Sequence, residues 1–565
     1  MQAKLDIHVG GRLEAAAPIH AVPTQDRLAL VVLLVLAIAI HGLLFARTTV
    51  NARDGLSFTR LALQLEKPSR IKSDSLPQPT IVDVLKFAEQ PPGYPLATLI
   101  VSKIVRVANP ITAEPGNFYD AQLGERMLFS GQLANCIASV LLVVPLFLLG
   151  RLLGGRFVGF VGAALFQVLP VVAHVTSDTL SEGCYMLGLC TAIWLGCRGL
   201  RRQGIGNFLA AGGVAGVTYL VRPEGVLVIL SLSAVAAWQG ISRKWTMNQA
   251  LGCLAALFVG FALTAAPYMA IIGGFTNKPS GKAAINSSVG LPRGGPLGKF
   301  DNSNMKANPV NDGVVQSPAL FARWIDMSTT STMGRILFSV SAVTQETMKT
   351  TFYAPLVLAA FGAFALRKRF RCDPAITFVG TFLTFNIGLL LVFAAKIGYV
   401  SERHTVPLAL VICPLAAAGI VPLIHILARY TFSFLNARRD RWIVALALCA
   451  AATVLAVRPL HETRTGFRYA GKYLAGVFQD GDVIVDPFSW AEFYAGPAVT
   501  RLIPETDTAK VLYTVLDGPM DKSQHVRLPK MDLARNIAKS GAPVYHWPED
   551  QPIENAKVIV YKTTR

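Results

Sequence analysis

Charge is what this chain has least of. Only 15% of its 565 residues are Asp, Glu, Lys or Arg, where a soluble domain carries about 25%. With 52% hydrophobic residues and a mean hydropathy of +0.46, the composition excludes an ordinary soluble domain and implies a polytopic membrane protein. Acid is the scarcer sign, giving a net charge of +19. In a soluble chain that excess would point to nucleic acid. Here it lies largely in short loops between apolar runs, as inside-positive orientation demands, so no nucleic-acid partner is expected. Cysteine is missing from the long polar loops and the C-terminal tail, since Cys136, Cys184, Cys190, Cys197, Cys253, Cys372, Cys413 and Cys449 sit in apolar runs or short basic loops. That excludes a disulfide framework, and the absence of a CxxC pair removes the usual zinc signal. Residues 1–27 lack the compact apolar core and small-residue cleavage site of a signal peptide, so the first run is read as a retained helix.

A bilayer core takes about 20 apolar residues per helix. Runs of that order fall near 28–45, 127–149, 156–174, 183–197, 207–221, 225–240, 250–273, 352–366, 375–395, 404–428 and 441–458, predicting about eleven transmembrane helices. Five short loops are basic and almost free of acid. They hold Arg151 and Arg156; Arg198, Arg201 and Arg202; Arg243 and Lys244; Arg367, Lys368, Arg369 and Arg371; and Arg429, Arg438, Arg439 and Arg441. They alternate with every second helix and so share one side, which the positive-inside rule makes cytoplasmic. The expected organisation is a cytoplasmic segment at 1–27, a transmembrane domain at 28–458 with outer loops at 46–126 and 274–351, and an outer domain at 459–565. The stretch 276–316, rich in Gly, Asn, Ser and Pro, reads equally as a mobile lid or as disorder.

The tail changes character. Asp482–Asp486, Lys510–Val515 and Lys557–Tyr561 are short β-rich runs, and Phe467–Phe478 and Met531–Ala538 have helical spacing. An α/β lobe of about 100 residues outside the membrane is expected. It carries no phosphate-binding glycine fingerprint and no metal spacing, and the chain shows no repeat and no coiled-coil heptads.

On the same outer side fall the polar groups that need explaining: Arg53 and Asp54; Glu89 to Tyr94-Pro95; Ser177-Asp178-Thr179-Leu180-Ser181-Glu182; Arg222-Pro223-Glu224; and Glu402-Arg403-His404. Each has a plain structural reading. Asp54 can be a solvated loop carboxylate, Asp178 and Glu182 can cap the helix that follows them, and Arg222-Pro223 can be a turn with Pro at the first helical position. Arg403 and His404 can mark a helix boundary, and Gln90-Pro-Pro-Gly-Tyr-Pro95 can be a rigid turn. Their gathering at one membrane depth favours a site at the water–lipid boundary.

This order of motifs resembles the GT-C glycosyltransferase superfamily over roughly residues 25–430, in particular the bacterial enzymes related to protein O-mannosyltransferases and the lipid A aminoarabinose transferase. The resemblance implies a GT-C type fold in the cytoplasmic membrane, a sugar donor linked to polyprenyl phosphate, and an acid in the first outer loop corresponding to Asp54. Two positions depart from the commoner pattern. Gly55 stands where protein mannosyltransferases have a second acid, and His404 where many relatives have Tyr.

The residue types suit that chemistry. A hydroxyl acceptor is a poor nucleophile, and Asp54 is the expected general base, a role worth typically 10²–10⁴-fold. Negative charge grows on the leaving phosphate, and Arg222, Arg403 and Arg53 are the cations expected to bind it. Asp178, Glu182, Glu224, Tyr94, Glu402 and His404 are the expected sugar or acceptor contacts. Asp178 and Glu182 with Asp54 are also an oxygen set that suits Mg²⁺ or Mn²⁺, although nothing in the sequence requires a metal. A one-step displacement would invert the anomeric centre. The competing class is a transporter or flippase of lipid-linked sugars, which would place charges near the bilayer midplane in related halves. A non-catalytic scaffold is a third class, and it leaves the gathered charges unexplained.

Overall fold

A computed structural model describes residues 24–68, 79–108, 110–111, 114–278, 331–430, 437–496, 506–519 and 531–564. Residues 1–23 and 279–316, where the N-terminal segment and most of the lid-or-disorder stretch were placed, lie outside these. Each of the eleven apolar runs falls on a helix. Seven helices among the described residues are long and apolar enough to cross a membrane, or nine if two bent helix pairs each count as one span.

The bends have local causes. The run at 156–174 forms two helices, Arg156–Val168 and Pro170–Ser177, meeting at 67°. Pro170 has no N–H to continue the ladder and sits at the start of the second piece. That second piece delivers Asp178 as its C-terminal cap residue. The long apolar stretch at 207–240 divides at Arg222-Pro223-Glu224 into Ile205–Val221 and Val226–Ile241.

Two segments expected as loops are partly helical. Segment 46–126 contains Arg53–Glu66, Ile81–Phe87, Gly93–Ala108 and the start of Asn117–Gly154, while Thr332–Thr350 occupies the end of segment 274–351. The Asn117–Gly154 helix has 38 residues, about 57 Å at 1.5 Å per residue. That exceeds a 30 Å hydrocarbon core, and its first turns, before the apolar run, pack against the lobe through Asn117 and Leu123.

The lobe's sheet has the order β1 (Val483–Val485), β2 (Val511–Leu516), β4 (Val558–Thr564), β3 (Ala542–Trp547). β1 runs parallel to β2, and the other pairs are antiparallel. β3 escapes the sequence reading because Pro543 interrupts it. It is an edge strand with a register shift between Pro543 and Tyr545, where a missing donor is tolerated. The lobe's buried core includes Val50, Leu56, Leu63, Leu123 and Met127 from segment 46–126 and the long helix. Asn117 also donates to the Phe478 carbonyl at 2.9 Å. Lobe and bundle therefore share apolar packing.

Asp486 lies wholly inside the lobe and accepts the Phe488 and Glu492 backbone N–H groups at 2.8 and 3.2 Å. Burial pushes its carboxyl up to about 6, with the Glu492 charge adding to the effect. A folded-state value above the unfolded one means a stabilising contribution that is full below the unfolded value and lost as pH rises through 6. Amide exchange at Val483–Val485, corrected for intrinsic rates, is expected to slow from pH 7.5 to pH 5. Asp486→Asn is expected to flatten that dependence.

The two ends of the bundle differ. At one end Asp26 pairs with Arg151 and with Arg156 (2.6 Å), and Arg201 pairs with Asp373 (2.5 Å). The Glu182–Arg202 helix runs from that end to the other, where Asp54, Glu182, Arg222 and Arg403 meet.

Candidate active site at one end of the bundle

Four carboxylates at this end sit where a helix begins. Asp54 is in the first turn of Arg53–Glu66, Glu182 of Glu182–Arg202 and Glu402 of Glu402–Tyr430, while Glu224 is in the short turn leading into Val226–Ile241. Exposed N–H groups and the helix dipole favour anions there.

The centre of the cluster is Arg403. Its Nε donates to Glu182 Oε1 at 2.7 Å and its terminal nitrogen to Asp54 Oδ2 at 2.5 Å. Arg222 approaches the same Glu182 oxygen at 3.5 Å and lies over the buried ring of Tyr185 at 5.5 Å. Glu182 is fully buried, whereas the Asp54 side chain is 57% exposed. Lys278 adds a third cation, interacting with Glu224, Arg222, Glu182 and Arg403. Burial lowers its pKa, and Glu224 partly offsets the shift. Four buried atoms here make no hydrogen bond within the protein: Glu182 Oε2, Glu224 Oε2, Arg222 Nε and Tyr185 Oη. Buried polar atoms are rarely left so, and their grouping marks a polar site rather than a packed core.

Asp178 does not cap the helix that follows it. Its Oδ1 accepts the N–H of Thr179 (2.7 Å) and of Ala52 (3.1 Å), and its Oδ2 accepts from His461 Nε2 (2.8 Å). It thereby fixes the backbone that leads into Asp54. Buried amides hold the turn around Asp178: Asn51 donates to Thr179 Oγ1, Gln132 to the Ser177 carbonyl and Asn135 to the Asp178 carbonyl. Behind them His41 bridges Ser177 (2.6 Å) and Gln167 (2.7 Å). Gly55 packs on the same turn, where a Cβ would stand 2.6 Å from the Thr179 backbone oxygen. The second acid of the protein mannosyltransferase pattern has no room at this position.

A cavity of about 350 Å³ opens beside Asp54. Its lining includes Arg53, Asp54, Asp178, Arg403, His461 and Arg464.

Other expected contacts do not line that cavity, although His404 interacts with Arg222, Lys278, Glu224 and Arg403. Tyr94 is completely buried, its ring edge-on to Phe58 and its hydroxyl near Gly131, so it packs behind the cavity and does not line it. His404 accepts the N–H and hydroxyl of Ser401 through Nδ1 and packs against Phe393. The Glu402 carbonyl accepts from Thr350 and Thr405. Among the described residues no three His, Cys, Asp or Glu side chains converge to hold a metal ion. Asp54, Asp178 and Glu182 are engaged instead with Arg403, His461 and the two arginines. The oxygen set weighed for Mg²⁺ or Mn²⁺ does not fit a metal in this arrangement.

Sequence reading missed His461, Arg464 and Lys278. The last two are single cations in polar segments with no motif around them, and His461 becomes visible only through its contact with Asp178.

Residues 121–269 match the family model described as dolichyl-phosphate-mannose-protein mannosyltransferase. No curated protein matches the chain in sequence. The fold is similar to that of the Archaeoglobus fulgidus oligosaccharyltransferase in its apo form, with a TM-score of 0.52 at 11% identity over 86% of this chain and 65% of that one. It is also similar to ArnT from Cupriavidus metallidurans bound to undecaprenyl phosphate, with a TM-score of 0.50 at 13% identity over 96% and 98% of the two chains. This chain thus spans about two thirds of the archaeal protein and nearly all of the bacterial one. The family model matches about a quarter of the chain, and the two structures are similar to it in fold.

Proposed function

We propose that the protein transfers a sugar from a polyprenyl-phosphate carrier to a hydroxyl-bearing envelope acceptor on the extracytoplasmic side of the cytoplasmic membrane. The observation that carries the reading is the sharing of Arg403 between Asp54 and Glu182 at the mouth of a cavity, beside Arg222 and Lys278. ArnT of C. metallidurans, of like fold, binds undecaprenyl phosphate.

Arg222, Lys278 and Arg403 are the cations for the carrier phosphate, where they offset the charge that grows as the sugar leaves. Arg53 lines the cavity and supplies a further positive charge at its rim. As donor phosphate draws Arg403 toward itself, Asp54 loses its ion-pair partner and its carboxylate oxygen is freed for the acceptor hydroxyl. The acceptor oxygen then bonds to the anomeric carbon, the carbon–oxygen bond to phosphate breaks, and Asp54 takes the hydroxyl proton. Attack from the face opposite the phosphate inverts the anomeric centre. The transporter reading is less well supported, because these charges lie at the end of the bundle and not at its middle.

The test uses purified protein in vesicles, labelled polyprenyl phosphate carrying mannose, another hexose or a pentose, and envelope extract from a strain lacking the gene. Label is expected to leave the carrier for an extract component. Retention of every sugar on its carrier would overturn the proposal.

A further inference from the structure

The segment joining the last bundle helix to the lobe supplies a side chain to the cavity. We infer that His461 is an acceptor-binding residue, its Nδ1 receiving a hydrogen bond from an acceptor hydroxyl adjacent to the one that reacts. This rests on the glycosyl-transfer reading above.

The ring is oriented from one side. Asp178 is 2% exposed, and its Oδ2 lies 2.8 Å from His461 Nε2. A carboxylate only accepts, so Nε2 carries the proton, and in the neutral imidazole Nδ1 is left as an acceptor. His461 is 23% exposed and lines the same cavity as Asp54, Arg403 and Arg464. Its backbone has φ +52°, a left-handed conformation that costs a non-glycine residue energy and tends to persist at functional positions. The turn is fixed on both sides: the Arg464 N–H donates to the His461 carbonyl at 2.9 Å, and the Arg464 guanidinium lies over Trp490 at 4.7 Å.

Division of labour in the site favours the acceptor over the donor as its ligand. The cations suited to the carrier phosphate gather around Glu182 and Glu224. The His461–Asp178 pair lines the cavity where bundle meets lobe, and the imidazole, as its neutral tautomer, offers a lone pair there. Asp178 also accepts the Ala52 N–H two residues before Asp54. One buried carboxylate thus sets the position of both the base and the acceptor contact.

The Asp178 geometry supplies a discriminating variant. Oδ1 accepts both backbone N–H groups, the Ala52 N–H being shared with Oδ2 at 3.2 Å, and Oδ2 also accepts from His461. In Asp178→Asn the amide oxygen can keep the backbone contacts while the NH₂ donates to Nε2. The ring proton then moves to Nδ1 and the lone pair offered to the acceptor is lost.

The experiment measures transfer rates against donor concentration and against the amount of envelope extract from the gene-deletion strain. His461→Ala, His461→Asn and Asp178→Asn are compared with wild type, each checked for unaltered melting temperature. His461→Ala and Asp178→Asn are expected to raise the half-saturating amount of extract roughly tenfold, the loss of one hydrogen bond, with little change in the donor KM. His461→Asn, which keeps a carbonyl acceptor, is expected to recover part of that loss. An unchanged extract dependence, or a rise confined to the donor KM, would overturn the inference. Absence of transfer by wild type would instead refute the reading it rests on.

Discussion

Asp54→Asn is expected to reduce transfer by about 10²–10⁴-fold, the usual value of a positioned general base, while the protein folds and binds carrier lipid as before. The Asp54 side chain is 57% exposed and packs into no core, so its loss removes little burial. An amide oxygen can still accept from Arg403, which preserves the local arrangement while removing the proton acceptor. Transfer by Asp54→Asn at the wild-type rate would exclude Asp54 as the base.

The second large effect concerns Arg403. Its removal leaves fully buried Glu182 with Arg222 at 3.5 Å as its remaining ion-pair partner. Stripping the only partner from a buried charge costs about 3–5 kcal/mol, and the cost here is smaller because Arg222 and Lys278 still face Glu182. Arg403→Ala is therefore expected to lower the melting temperature in detergent and to weaken binding of undecaprenyl phosphate. Arg403→Lys is expected to rescue little, since a point-charge ammonium cannot span both carboxylates as a guanidinium fork does. Arg403→Ala combined with Glu182→Gln removes both charges and is expected to regain most of the stability without regaining transfer. Recovery of transfer in that double variant would show Arg403 to be structural only.

What the sequence disclosed followed from contrast. In a chain so poor in charge, Asp54, Asp178, Glu182, Arg222 and Arg403 stand out at the ends of apolar runs. Positive-inside counting put them on one side without reference to any structure, and in the fold they gather at one end of the bundle. Lys278, His461 and Arg464 carry the same chemistry but lie in polar segments, where a charged or polar residue is ordinary. Only the turn at Ala52 and the link after the last bundle helix bring His461 to Asp178. The amphipathic Arg53–Glu66 helix was passed over for a related reason: its 14 residues are too few to register as a span. The kink at Pro170 was hidden because hydropathy continues across it. Tyr94 is the converse case. Its motif was legible, but the sequence could not tell a ring that lines a cavity from one packed against Phe58 behind it.

The central claim is that carrier phosphate binds beside Arg222 and Arg403 with Asp54 at the cavity mouth. It is tested most directly by solving the structure of the protein with undecaprenyl phosphate in lipid nanodiscs. Phosphate density within hydrogen-bonding distance of both arginines, with Arg403 drawn away from Asp54, is the predicted result. Density elsewhere, or an Asp54–Arg403 pair unchanged by the lipid, would contradict it.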